Sequence, residues 1–192
     1  MIRSIRGWLL ACGALIVAPT ASIAQSAQST SAQVSVLAGA ISFRDTIQPG
    51  FGAEAQLRFN HLHASESGVL SLGIGGQYTH HSFARGQYFN IVGAFLEPRY
   101  AFVLSSETFF PYLAGRFAVL QQSSNVLRST IGFAGGVGGG FGVALGKRVN
   151  LDVGVAALLQ GFGSAADAAR TKVYPFNPFL AYAAKLGMSV GL

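Results

Sequence analysis

Residues 50–60 read GFGAEAQLRFN. Phe51, Ala53, Ala55, Leu57 and Phe59 occupy one set of alternate positions, and Gly52, Glu54, Gln56, Arg58 and Asn60 occupy the other. Successive side chains of a strand point to opposite faces, so the segment forms one apolar face and one polar face carrying two opposite charges. A soluble sheet would bury the Phe/Leu face and leave Glu54 and Arg58 in water. A membrane barrel would give the apolar face to lipid and turn the charges into its lumen.

Composition favours the second arrangement. Charged residues make up 10% of the chain, against about 25% in an ordinary soluble domain, too few to clothe a water-facing surface. The N-terminal segment, MIRSIRGWLLACGALIVAPTASIAQ, places Arg3 and Arg6 ahead of an apolar run and ends in the small-residue pattern Ser22-Ile23-Ala24. It predicts a secretory signal peptide over residues 1–24, because the apolar run is too short to span a bilayer as a helix. Its removal takes away Cys12, the single cysteine, and with it any disulfide framework. Without Arg3 and Arg6, the thirteen Lys and Arg become eleven against seven Asp and Glu. No basic-aromatic stripe accompanies that mild excess, so a nucleic-acid partner is not expected.

Later apolar windows are all interrupted by charges or glycine runs, so spanning helices are excluded and a closed barrel is the remaining lipid-compatible solution. Residues 25–32, QSAQSTSA, read as a flexible lead-in. Eight strands are then predicted over 33–43, 50–60, 68–81, 88–103, 108–121, 129–145, 149–160 and 177–192. Leu70, Leu72, Ile74 and Tyr78 oppose Ser71, Gly73, Gly75, Gln77 and Thr79. Ile131, Phe133, Val137, Phe141 and Val143 oppose a face made almost wholly of glycine and alanine. Tiny residues with isolated charges suit the crowded inside of an eight-stranded barrel. In the fourth and fifth strands, however, Glu97, Arg99 and Arg116 share parity with Phe95, Tyr112 and Ala114, a mixture that calls for a bulge or special local packing.

With both termini periplasmic, the connections of 6, 6, 7 and 16 residues fall outside and those of 7, 4 and 3 inside; the seven-residue HLHASES is long for a periplasmic turn. The longest connection contains SAADAART, whose composition suits a short helical turn. Aromatics near strand ends, namely Phe43, Phe59, Tyr78, Tyr88, Tyr100, Phe109, Phe162, Tyr174 and Phe176, are placed as interfacial girdles would be.

The signal segment, the eight amphipathic strands, GFAGGVGGGFGVAL before the tight turn GKR, and the final KLGMSVGL resemble the small bacterial outer-membrane β-barrel family, of the OmpA, OmpX and OmpW type and porin-like. The resemblance covers nearly all of residues 33–192. It implies an eight-stranded antiparallel up-and-down transmembrane β-barrel in the cell outer membrane, monomeric and without enzymatic activity or cofactor. It also implies insertion by the barrel assembly machinery, although the family's terminal aromatic is replaced here by Leu192.

Glu54, Arg58, Glu97, Arg99, Arg116, Asp152 and Lys185 are expected in the lumen, where unpaired charges would cost several kcal/mol each and must therefore pair. The paired set forms a structural plug; a selective pore lined by the same groups is the alternative. In the outer loops, Arg44, Arg85, Arg128, Arg170 and Lys172 are candidate contacts for lipopolysaccharide phosphates, to which arginine binds in bidentate fashion. His80 and Ser82, two apart on one face, are similar to the His-x-Ser pair of outer-membrane lipid A deacylases, in which His would activate Ser for attack on an ester. Here Phe83 replaces the Asn that follows Ser in that family, and Glu97 is a loose candidate for the orienting acid. A secreted soluble β-barrel or sandwich domain is the remaining alternative. His61 with His63, or His80 with His81, lacks the acidic or cysteine partners of a metal site, and no metal is expected.

Overall fold

The computed structural model describes residues 29–43, 46–82, 86–104, 108–125, 128–163, 165–166, 173–174 and 178–192. The strands in chain order are β1 (Thr30–Phe43), β2 (Thr46–Ala64), β3 (Gly68–Ser82), β4 (Tyr88–Phe102), β5 (Phe109–Ser124), β6 (Thr130–Ala144), β7 (Val149–Phe162), β8 (Ala165–Ala166), β9 (Val173–Tyr174) and β10 (Phe179–Gly191). Eight long strands pair antiparallel with their chain neighbours. The sheet closes where β1 meets β10, in register from Ser31 opposite Gly191 to Ile41 opposite Ala181. Closure gives each of the eight long strands two partners and leaves the barrel no open edge.

The alternation in β2 resolves toward the membrane arrangement. Phe51 is 65% exposed, whereas Glu54 is 3% exposed and Arg58 is also buried. The same polarity runs round the wall, with Val36, Ile74, Leu96, Phe117, Val137, Val155 and Leu186 all outward. So continuous an apolar surface far exceeds the few hundred Å² that soluble monomers expose, and hydrocarbon is the solvent that suits it. A hollow of about 1120 Å³, lined by Leu113, Val137, Tyr182 and the small residues Gly115, Gly139 and Ala157, dents this outer wall.

Inside, two layers fill the lumen. Toward the long-loop end, Ile91, Phe95, Ala118, Leu120, Ala134 and Phe162 pack together. Ile41, Leu158 and Ala181 form a second cluster, and Phe179 touches both. The charged side chains lie nearer the short turns. Phe162 therefore belongs to the interior, stacked on Phe179 at 6.0 Å, and not to the interfacial girdle expected of it. Phe59, Tyr78, Tyr88, Tyr100 and Phe109 do face outward, while 176 and the side chains of Phe43 and Tyr174 fall outside the description.

One local expectation changes. Strand β2 runs on through His61 and His63 to Ala64, so the long HLHASES connection shrinks to Ser65–Ser67, closed by Ser65 N–H donating to the Gly68 carbonyl at 2.9 Å. The extra length is absorbed by a bulge: the partner of Phe59 is Leu72 but that of His63 is Leu70, and His61 between them has φ 59°. In the longest connection, Ala165–Ala166 pairs with Val173–Tyr174 as a short ribbon. The segments 1–28 and 167–172, which include the expected signal peptide and the rest of SAADAART, lie outside the described residues.

Val137, 70% exposed at the centre of β6, tests the solvent of the wall. Val137→Arg is expected to lower folding stability in lipid vesicles by about 2–4 kcal/mol, as a cation near the bilayer midplane does. The same change on a water-facing strand stays within about 0.5 kcal/mol. Urea titration of vesicle-inserted protein distinguishes the two.

Candidate functional site

Strand parity brings seven charged side chains from β2, β4, β5, β7 and β10 to one level of the lumen. Glu97 is the hub. Its carboxylate pairs with Arg58 at 2.7 Å, Arg99 at 3.0 Å, Lys185 at 3.3 Å, and Arg116 at closer range still. Arg116 also reaches Glu54 at 2.7 Å, and Arg99 pairs with Asp152. The Lys185 ammonium stands among three carboxylates, 3.6 Å from Glu54 and 3.8 Å from Asp152. Glu54, Arg58, Glu97, Arg99, Arg116, Asp152 and Lys185 thus form one connected set of four bases and three acids.

Neutral groups that the sequence reading left out complete the set. Tyr112 donates its hydroxyl to Asp152 at 3.0 Å, and the Arg99 guanidinium lies 3.7 Å over its ring. Arg116 lies 4.1 Å over the Phe95 ring. The mixed parity of β4 and β5 is therefore local packing, with aromatic faces set against guanidinium planes and the β4–β5 register unbroken from Phe89 to Ala101. Arg58 donates to Gln56 at 3.1 Å and to Ser71 at 3.3 Å, and Gln56 donates to Gln33 at 2.9 Å. A signal for all of these was present in the shared inward parity of polar residues along each strand.

Glycine on the two neighbouring strands makes the room. A Cβ on Gly154 would collide with the Tyr112 hydroxyl, and one on Gly140 would stand 2.7 Å from it. Filled in this way, the lumen beside Glu97, Arg116 and Lys185 retains a cavity of only about 20 Å³, room for about one water molecule.

A second constellation lies on the outer wall, at the long-loop ends of β3 and β4. Register places His80 opposite Asn90. His80 Nδ1 is 2.7 Å from Asn90 Oδ1, and its Nε2 is 3.1 Å from Ser82 Oγ. Tyr78 donates to the same Asn90 oxygen at 3.1 Å. A carbonyl oxygen only accepts, so Nδ1 carries the proton and Nε2 presents its lone pair to the Ser82 hydroxyl. Phe51 and Tyr88 flank the imidazole at 5.4 and 5.9 Å. Asn90, not Glu97, orients this histidine; Glu97 is committed to the lumen on the other side of the wall. His81 points inward and is buried, so the neighbouring histidines do not converge on one site.

No family model and no curated protein matches the chain. Among solved structures, Neisserial surface protein A (NspA) superposes with a TM-score of 0.61 at 18% identity, over 85% of this chain and 97% of that one. The fold is that of the small outer-membrane β-barrels. The outer membrane enzyme PagL superposes with a TM-score of 0.54 at 17% identity, over 83% and 99% of the two chains. Ail of Yersinia pestis gives 0.49 at 10% identity, over 85% and 97%. Within such a barrel, Arg128 stands exposed after β5, while Arg44, Arg85, Arg170 and Lys172 lie outside the described residues.

Because four cations converge on it, Glu97→Gln is expected to destabilise the barrel by about 3–5 kcal/mol, the cost of stranding buried charges. Glu54→Gln, which removes the carboxylate with fewer close partners, should cost less. Urea midpoints of the two variants in detergent measure the order.

Proposed function

We propose that the chain is an integral outer-membrane protein whose barrel is a sealed structural body, acting through its wall and outer surface and not as a conduit. One observation carries this reading: on the long-loop side of the charged layer, Ile91, Phe95, Leu120 and Phe162 pack into an apolar cluster across the lumen, with buried Gln122, Gln160 and His81 filling in around it, so side chains occupy the way to the charges. Charge rings select ions only where water reaches them. The reading takes a monomer, delivered by a signal peptide and inserted by the barrel assembly machinery, with lipopolysaccharide phosphates as neighbours of Arg128 and the other loop cations. In planar bilayers, purified protein is expected to give no resolved conductance steps. A steady open level from the full chain would overturn the sealed lumen.

A second reading, hydrolysis of a lipid acyl ester at the outer rim, rests on the Ser82–His80–Asn90 relay. Nε2 of His80 can take the Ser82 proton as the hydroxyl attacks the ester carbonyl and return it to the departing alcohol, which leaves the acyl group on Ser82; water, deprotonated by the same Nε2, then attacks that acyl ester, releases the fatty acid and restores the Ser82 hydroxyl. Asn90 holds the imidazole in the productive tautomer. The nucleophile faces the lipid, which is where an acyl ester would lie. Mass analysis of lipid A incubated with the barrel tests this reading. Release of fatty acid that falls about 10²-fold or more in Ser82→Ala and His80→Ala, with heat-modifiable gel mobility unchanged, supports the enzyme. Intact lipid throughout excludes it.

A further inference from the structure

The lumen network does not balance. Four bases meet three acids, all in a space from which bulk water is excluded, and a charge left uncompensated there costs several kcal/mol. The remaining polar capacity lies to one side. At the short-turn end, Ser31, Gln33, Arg58, Asn60, Arg99, Asn150, Asp152 and Ser189 surround a cavity of about 30 Å³. Arg58 and Arg99 are each 5% exposed, and the Nε of each has no hydrogen-bond partner. Their Nη atoms are already spent on Glu97, Asp152, Gln56 and Ser71.

We propose that this cavity is a halide site, and that chloride entering from the periplasmic side completes the charge balance of the plug. Beside the apolar Phe110 and Leu151, the lining includes what a small anion needs: Arg58 and Arg99, each with an Nε–H that lacks an acceptor, and the hydroxyl and amide donors of Ser31, Ser189 and Asn150. Asp152 shares the wall, but its oxygens are engaged by Arg99 and Tyr112, which leaves the donors as the unspent capacity. Size selects the class of ion. About 10–15 Å³ is the minimum for one water-sized occupant, so the cavity takes a monatomic anion and not a phosphate or sulfate. The site lies at the opposite end of the lumen from the apolar layer, so filling it opens no path through the barrel.

Crystals of the full chain in detergent, grown or soaked in bromide and measured at the bromine absorption edge, test the site directly. An anomalous peak among Arg58, Arg99 and Ser189 is expected; a featureless map there, or water alone, would overturn it. Stability supplies an independent reading. Replacing chloride with gluconate at constant ionic strength should lower the unfolding temperature by several degrees. Asn150→Asp, which places a fixed carboxylate at the cavity edge, should abolish that dependence. If Asn150→Asp does not fold, Arg58→Gln provides the same test by removing the surplus base. A network that stayed neutral by releasing a proton would show equal stability in the two salts and no bromide peak. Either result refutes the halide.

Discussion

A single carboxylate, that of Glu97, holds the interior of this barrel together. Arg58, Arg99, Arg116 and Lys185 come to it from four different strands, and none could be hydrated in a lumen this narrow. Once Glu97 is fixed, the other acids follow. Glu54 takes the free side of Arg116, Asp152 takes that of Arg99, and the rings of Phe95 and Tyr112 cover the guanidinium faces. The glycine-rich inward face of β6 and Gly154 of β7 belong to the same arrangement. They do not weaken the wall at random but leave the volume into which Tyr112 reaches.

The lumen's two layers separate the chemistries open to the protein. Ion pairs fill the half near the short turns, and apolar clusters together with buried Gln122, Gln160 and His81 fill the half near the long loops. The outer wall carries a separate hydrogen-bonded set, in which Ser82, His80 and Asn90 meet across the β3–β4 register at the level of the flanking aromatics. The charged set and this one lie on opposite faces of the wall, have only β4 in common, and share no side chain.

Much of this was legible before any coordinates. Period-two alternation assigns each residue to one face or the other, and charge in a barrel too narrow for water has to pair, so the seven lumen residues could be named from parity alone. Parity also misled where it was read incompletely. Phe162 ends a strand, as a girdle aromatic does, yet its even position in β7 turns it inward. The HLHASES stretch looked like a long turn because a bulge at His61 hides the continuation of β2. Asn90 was missed because its partnership with His80 depends on the register between two strands, and a sequence carries no direct record of register.

The sequence by itself determined which side of each strand is greasy, that no helix could span a bilayer, and that the chain must close on itself. These follow from composition and period, which are local properties. Only the tertiary structure decided which cation meets which carboxylate, that the lumen divides into a dry layer and a charged one, and that His80 is oriented by Asn90. Those depend on stagger between strands and on distances across the lumen. Such distances are set by closure of the whole sheet and not by any one segment of it.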